Sequence, residues 1–113
     1  MGTIDTAIAI LGMTAIVGMY LLSLVLRSKT IPVGIAVLHG LLAVVAVVLL
    51  IVYCVKNTTG PRESIIVFLI AATGGIIMGY RDITGKPVPI WLAIVHGLTA
   101  VVGFVLLLCF AFC

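Results

Sequence analysis

The sequence has very little charge. Of its 113 residues 8% are charged, whereas 65% are hydrophobic and the mean hydropathy is +1.52. A soluble globular protein of this size needs more polar residues to cover its surface. The composition therefore excludes a soluble globular protein, and it leaves no basic patch for binding nucleic acid. We expect an integral membrane protein with no nucleic-acid partner.

The sequence also has few residues of the kinds used in catalysis or in disulfide frameworks. It has three cysteines, Cys54, Cys109 and Cys113, with no C-x-x-C spacing. We expect free thiols that act as small hydrophobic side chains, and a bridge from Cys54 to Cys109 or Cys113 is the less favoured alternative. No Ser, Cys or Thr is recognisably paired with a base, so the pattern does not indicate nucleophilic catalysis. We predict no catalytic residues.

Long apolar segments account for most of the chain. Four of them are long enough to span a bilayer, which takes roughly 17 to 25 residues in a helix. We predict an all-α transmembrane four-helix bundle in which residues 1–113 form a single integral membrane domain. The first segment lacks a basic n-region, so we expect it to remain in the mature protein. The predicted segments are 4–26, 31–55, 64–80 and 88–112, the third being the shortest.

One sequence pattern occurs twice. The pattern Lys-x-x-Pro-x-x-x-Ala-x-x-His-Gly-Leu-x-Ala-Val-Val begins at Lys29 and again at Lys86, an offset of 57 residues. Twelve of the 28 residues in 29–56 are identical to their counterparts in 86–113. This predicts a tandem duplication, with repeat 1 at 1–56 and repeat 2 at 58–113. Each repeat would be a helical hairpin, and the two would be parallel about a pseudo-two-fold axis along the membrane normal.

The duplication places His39 and His96 at the same depth on the second and fourth helices, where they can face each other. A polar side chain at membrane depth is costly and indicates a function by default. Both histidines lie among small residues at helical spacing, which favour either close helix packing or a slot for a flat ring system. The residues at helical spacing are Ala36, Ala43 and Ala46 for the first histidine and Ala93, Ala100 and Gly103 for the second, and Gly40 or Gly97 lies immediately beside each histidine.

Two imidazoles suit haem better than zinc as a ligand set. Zinc takes three or four protein ligands, and no acidic residue or cysteine lies at the same depth, whereas haem iron needs only two axial ligands. Gly18 and Gly75 fall near this level on the first and third segments and would leave room for a porphyrin. Four basic residues at the nearer rim would pair with the propionates, or would only set topology and contact headgroups. They are Arg27, Lys29, Arg81 and Lys86.

With histidines on the second and fourth helices and glycines on the first and third, the chain resembles the transmembrane b-type cytochromes. The resemblance implies one haem b per chain with His39 and His96 as the metal ligands, and electron transfer as the function. It also implies quinone or redox proteins as partners, possible homo-oligomers, and oxidoreductase activity if the protein is an enzyme. Many relatives carry two histidine pairs, whereas this chain has one. We therefore expect a single haem near the basic face.

Two other functions fit the same residues. The histidines could line the repeat interface of a small transporter or channel, or they could only make interhelical hydrogen bonds in a structural membrane subunit. The positive-inside rule predicts a location as well, because four basic residues follow the first and third segments and only Lys56 and Arg62 follow the second. We expect a bacterial inner membrane protein with both termini outside and its basic face in the cytoplasm.

Overall fold

The computed structural model describes residues 2–113. Within this range the chain forms four α-helices, each long and apolar enough to cross a membrane. The predicted all-α class and the four predicted membrane spans are confirmed. The helices are α1 (Thr3–Leu26), α2 (Val33–Lys56), α3 (Arg62–Ile83) and α4 (Ile90–Phe112).

Prolines set the starts of two helices. Pro32 and Pro89 are the N-cap residues of α2 and α4, where extended backbone leads into the helix and a missing N–H breaks no helical hydrogen bond. Both helices therefore begin two residues later than the apolar runs suggested. α3 ends later than predicted, and it runs without interruption through its two adjacent glycines, Gly74 and Gly75.

The helices form an elongated bundle of 44 × 23 × 19 Å. α1 packs most extensively on α2, and α3 on α4, while α1 also contacts α4 and α2 contacts α3. Helices α2 and α4 therefore lie diagonally across the bundle. The short connections 27–32 and 84–89 lie at one end, which we call the basic end, and the connection 57–61 lies at the other, which we call the distal end.

A hydrophobic core fills the distal half of the bundle. Leu50 and Leu107 are fully buried there on opposite helices, and the rings of Tyr53 and Phe110 pack edge to face with centroids 6.0 Å apart. Alanine, leucine, isoleucine and phenylalanine side chains from all four helices form this buried core. The buried core residues are Ala7, Leu11, Ala46, Leu50, Ile65, Phe68 and Leu107.

Candidate functional site: a histidine pair across the bundle

His39 and His96 meet on the diagonal of the bundle. Each is the seventh residue of its helix, which places it about 9 Å along the axis from the basic end. The ring centroids are 6.3 Å apart and the ring planes are inclined by 68°. The structure therefore brings the two predicted ligands to one depth and close to each other across the bundle.

Each imidazole is fixed by a backbone carbonyl of the neighbouring helix in its own hairpin. Nδ1 of His39 lies 3.0 Å from the carbonyl oxygen of Thr14, and Nδ1 of His96 lies 2.7 Å from that of Ala71. A carbonyl oxygen can only accept, so Nδ1 carries the proton and donates it. In the neutral ring Nε2 then keeps a free lone pair. Within residues 2–113 neither Nε2 has a hydrogen-bond partner.

Two glycines allow the imidazoles to reach these carbonyls. Gly18 and Gly75 each lie four residues after the accepting residue, and a helical side chain covers the turn that precedes it. A Cβ atom at Gly18 would lie 2.8 Å from Cε1 of His39, and one at Gly75 would lie 3.2 Å from Cε1 of His96. The missing side chains therefore make room for the rings themselves. That they also make room for a porphyrin remains a prediction.

The carbonyls of Thr14 and Ala71 are the part of the site that sequence reasoning missed. A carbonyl is present at every position, so residue type gives no sign of it. A signal did exist. Each acceptor lies 25 residues before its histidine, and a glycine at the depth of the histidine follows the acceptor by one helical turn. Aligning the two helices of each hairpin, so that the glycine lies at the depth of the histidine, would have identified both acceptors.

The other small residues of the predicted site differ in burial. Ala93 is buried, whereas Ala36, Ala43 and Ala100 are only half-buried although they share the inward stripe with the histidines. A Cβ atom added at Gly40 or Gly97 would meet nothing within 4 Å. The histidine level is therefore less closely packed than the distal core, and Gly40 and Gly97 are not needed for packing against another helix.

The four predicted basic residues lie together at the basic end, in or beside its two connections. Arg81 donates from Nε to the carbonyl of Pro87 at 2.9 Å, and Arg27 donates to the carbonyl of Ser23 at 3.2 Å. Lys29 and Lys86 are exposed. The arginines thus help to order the turns at the basic end, and the imidazoles lie about 9 Å further along the helix axes.

The ligand set that the structure assembles consists of two imidazoles. Across residues 2–113 no group of three or more His, Cys, Asp or Glu side chains comes together. A metal ion bound by two imidazoles separates their ring centroids by roughly 6 Å, because a metal–nitrogen bond is about 2 Å and a ring nitrogen lies about 1.1 Å from the centre of a ring with bonds of about 1.33 Å. The observed 6.3 Å matches this spacing.

The tautomer of the two rings is also the one that metal ligands commonly have. A ligating histidine usually donates its second N–H to a carbonyl, a carboxylate or water, which fixes the tautomer and makes the free nitrogen a better donor to the metal. His39 and His96 both have this arrangement. The residues therefore fit a group that needs two axial nitrogens, such as haem iron.

Comparison of the chain with protein-family models, with curated proteins and with solved structures finds no match.

Proposed function

We propose that this protein is a single-haem membrane cytochrome of b type that carries electrons through a haem ligated by His39 and His96. The observation that carries the proposal is the pair of inward imidazoles 6.3 Å apart, each with its Nδ1 fixed by a carbonyl and its Nε2 free. When bound, haem iron takes up and releases one electron at a time. The role of the chain is to hold the two nitrogens and to keep the surroundings apolar.

The half-open packing around the histidines supports the same proposal. Ala43 and Ala100 lie one turn from Ala46 and Gly103 on the same inward stripes, yet the first two are half-exposed and the last two are buried. A porphyrin held by His39 and His96 would cover these exposed alanines. The four basic residues at the basic end would then be the partners for its propionates.

We also propose that the bundle arose by tandem duplication of one hairpin, related by a pseudo-two-fold axis between α2 and α4. Residues 57 apart in the chain have matching surroundings. The carbonyl acceptors, the glycines beside the rings, the fully buried leucines and the aromatic rings packed edge to face all form such pairs. The pairs are Thr14 and Ala71, Gly18 and Gly75, Leu50 and Leu107, and Tyr53 and Phe110.

The charge distribution supports an orientation with the basic end in the cytoplasm and both termini outside, in a bacterial inner membrane. With one haem near the cytoplasmic face, the electron donor and acceptor would both dock from that side or from the membrane plane. Quinones, redox proteins and further copies of the chain are the classes of partner that suit such a carrier.

An optical spectrum tests the proposed function. The full chain would be expressed with a haem supply, purified in mild detergent, supplemented with haemin, and examined before and after dithionite reduction. We expect a Soret band that shifts on reduction, a low-spin ferric signal by electron paramagnetic resonance, and one haem per chain in a pyridine haemochrome assay. His39→Ala and His96→Ala should each lose the low-spin signal, whereas Leu41→Ala, on an exposed face, should keep it.

A second candidate function is a structural membrane subunit, and the Nδ1 hydrogen bonds favour it because they give each histidine a purely architectural partner. The same measurements separate the two. Wild-type protein that stays colourless after haemin supplementation, with histidine variants that lose only stability, would reject the cytochrome and support the structural subunit. Many transporters form their substrate site from broken helices, whereas α3 runs without interruption through Gly74 and Gly75.

A further inference from the structure

Two cysteines lie side by side at the distal end of α4. Cys109 and Cys113 are four residues apart, and both are exposed. The backbone N–H of Cys113 donates to the carbonyl of Cys109 at 2.9 Å, so the last turn keeps α-helical spacing. Side chains four residues apart lie next to each other on one face of a helix. They therefore form a dithiol on one helix face, 13 and 17 residues beyond His96.

The helical spacing does not suit a disulfide bond. Residues four apart on a helix have Cβ atoms about 5 to 6 Å apart, whereas a disulfide needs about 3.5 to 4.5 Å. Closing the bond would require the final turn to unwind. A metal ion between the sulfurs removes this mismatch, because two metal–sulfur bonds of about 2.3 Å span the longer separation with the helix intact.

The available ligands select the class of metal. No His, Asp or Glu completes a cluster with these thiols within residues 2–113, so the four-coordinate sites that zinc prefers cannot form from this pair alone. Soft thiolates favour Cu(I) among the biological metals, and two-fold coordination suits this ion. We propose that Cys109 and Cys113 form a two-thiolate binding site for Cu(I) at the distal end of the bundle, independent of the histidine pair.

Binding would be an exchange of protons for a cation. Each thiol loses its proton, the two sulfurs each form a bond to one Cu(I), and the products are a bis-thiolate complex of net charge −1 and two released protons. No electron is transferred. Affinity should consequently rise with pH over the range in which the thiols would otherwise keep their protons.

The third cysteine supplies a matched control. Cys54 lies at the same end on α2, but its thiol packs against Gly60 in the connection 57–61, where an added Cβ would collide with it. It is half-buried and has no second thiol beside it on its own helix. Cys54→Ser therefore removes one thiol from the same end of the bundle without touching the proposed site.

Anaerobic titration of the reduced full chain in detergent with Cu(I), against a chromophoric Cu(I) chelator, tests the proposal. We expect one Cu(I) per chain in the wild type and in Cys54→Ser. Cys109→Ser and Cys113→Ser should bind roughly 100-fold more weakly or worse, beyond the usual effect of removing an outer-shell partner. Circular dichroism of each variant checks that the helices persist.

Equal Cu(I) affinity in Cys109→Ser and wild type would overturn the proposal, as would absence of binding by the reduced wild type. An intrachain Cys109–Cys113 disulfide, found by mass spectrometry in protein purified without added reductant, would also overturn it. The double variant His39→Ala, His96→Ala should bind Cu(I) as the wild type does. This variant separates the two proposals, because Cu(I) binding by the cysteines and haem binding by the histidines can each be rejected without the other.

Discussion

The side chains that lie between α2 and α4 differ between the two ends of the bundle. At the distal end Leu50 of α2 and Leu107 of α4 are fully buried in one hydrophobic core. At the histidine level the same two helices meet through His39 and His96, and the adjacent inward alanines are half-exposed. In lipid, apolar residues gain little by leaving the acyl chains, so close packing holds helices together. The buried core that holds the bundle together therefore lies at the distal end, whereas most inward alanines near the histidines are less buried.

Enlarging one inward alanine near the histidines and one in the distal core should give the largest difference in the free energy of unfolding. Ala46→Leu inserts three carbons where the native side chain has 0% exposure, and overpacking of this kind costs about 2 to 3 kcal/mol. Ala43→Leu, one turn closer to the histidine, enters a half-open level and should cost less than about 1 kcal/mol in the ligand-free protein. Detergent-denaturation curves followed by circular dichroism measure both.

The same pair separates stability from ligand binding. Ala43→Leu should lower haem occupancy in the Soret band although its free energy of unfolding changes little, because the added side chain fills the space beside the imidazole. Ala46→Leu should keep its haem in the fraction that folds. If both variants were equally destabilised, the two levels of the bundle would be equally well packed.

A smaller effect is expected where a glycine contacts a histidine. In Gly18→Ala the new Cβ would lie 2.8 Å from Cε1 of His39, so the ring must shift and lengthen its bond to Thr14. Gly12→Ala on the same helix meets nothing within 4 Å and reports the gain in helix propensity alone. We expect Gly18→Ala to be less stable than Gly12→Ala by about 1 to 2 kcal/mol.

Gly75→Ala gives an internal check on that difference. Its Cβ would lie 3.2 Å from Cε1 of His96, a less severe contact, so its cost should lie between those of Gly18→Ala and Gly12→Ala. Unfolding in mixed micelles, followed through the single tryptophan Trp91, ranks the three. Equal stability of all three variants would mean that the glycines do not position the rings.

The sequence predicted the helices well because long apolar runs and prolines are local signals. It failed at α3, which extends beyond the predicted 64–80 at both ends. Arg62 and Glu63 begin the helix and Arg81 and Asp82 lie in its last turn, so a hydropathy criterion stops too early. The acidic residue near the start and the basic residue near the end also suit the helix dipole.

The histidine pair was predictable because the duplicated pattern fixes both depth and face. Its partners were less predictable, since any residue supplies a carbonyl and only the spacing to Gly18 and Gly75 points to the right ones. The difference in packing between the histidine level and the distal core could not be foreseen, because the stripe of small residues continues from one to the other. Ala43 and Ala46 look alike in sequence, and only their surroundings in the bundle distinguish them.

The smallest expected effect concerns the hydrogen bond at the distal end. Ser64 donates from Oγ to the carbonyl of Gly103 at 2.7 Å, so this end also has a side chain bound to a neighbouring helix's carbonyl. Ser64→Ala should cost about 0.6 kcal/mol, the average for interhelical hydrogen bonds in membranes. Ala7, which lies 57 residues earlier and is fully buried, indicates that alanine packs well in such a position.

Thr73→Ala is the control for Ser64→Ala, because Thr73 donates only to Leu69 in its own helix and its loss should leave stability within about 0.5 kcal/mol of the wild type. A cost for Ser64→Ala well above that of Gly18→Ala would mean that polar contacts, and not close packing, hold the distal end. The two ends would then be held by one kind of interaction, since the imidazoles also bind carbonyls of a neighbouring helix. A cost near the expected value keeps the hydrogen bond secondary to Leu50, Leu107 and the residues around them.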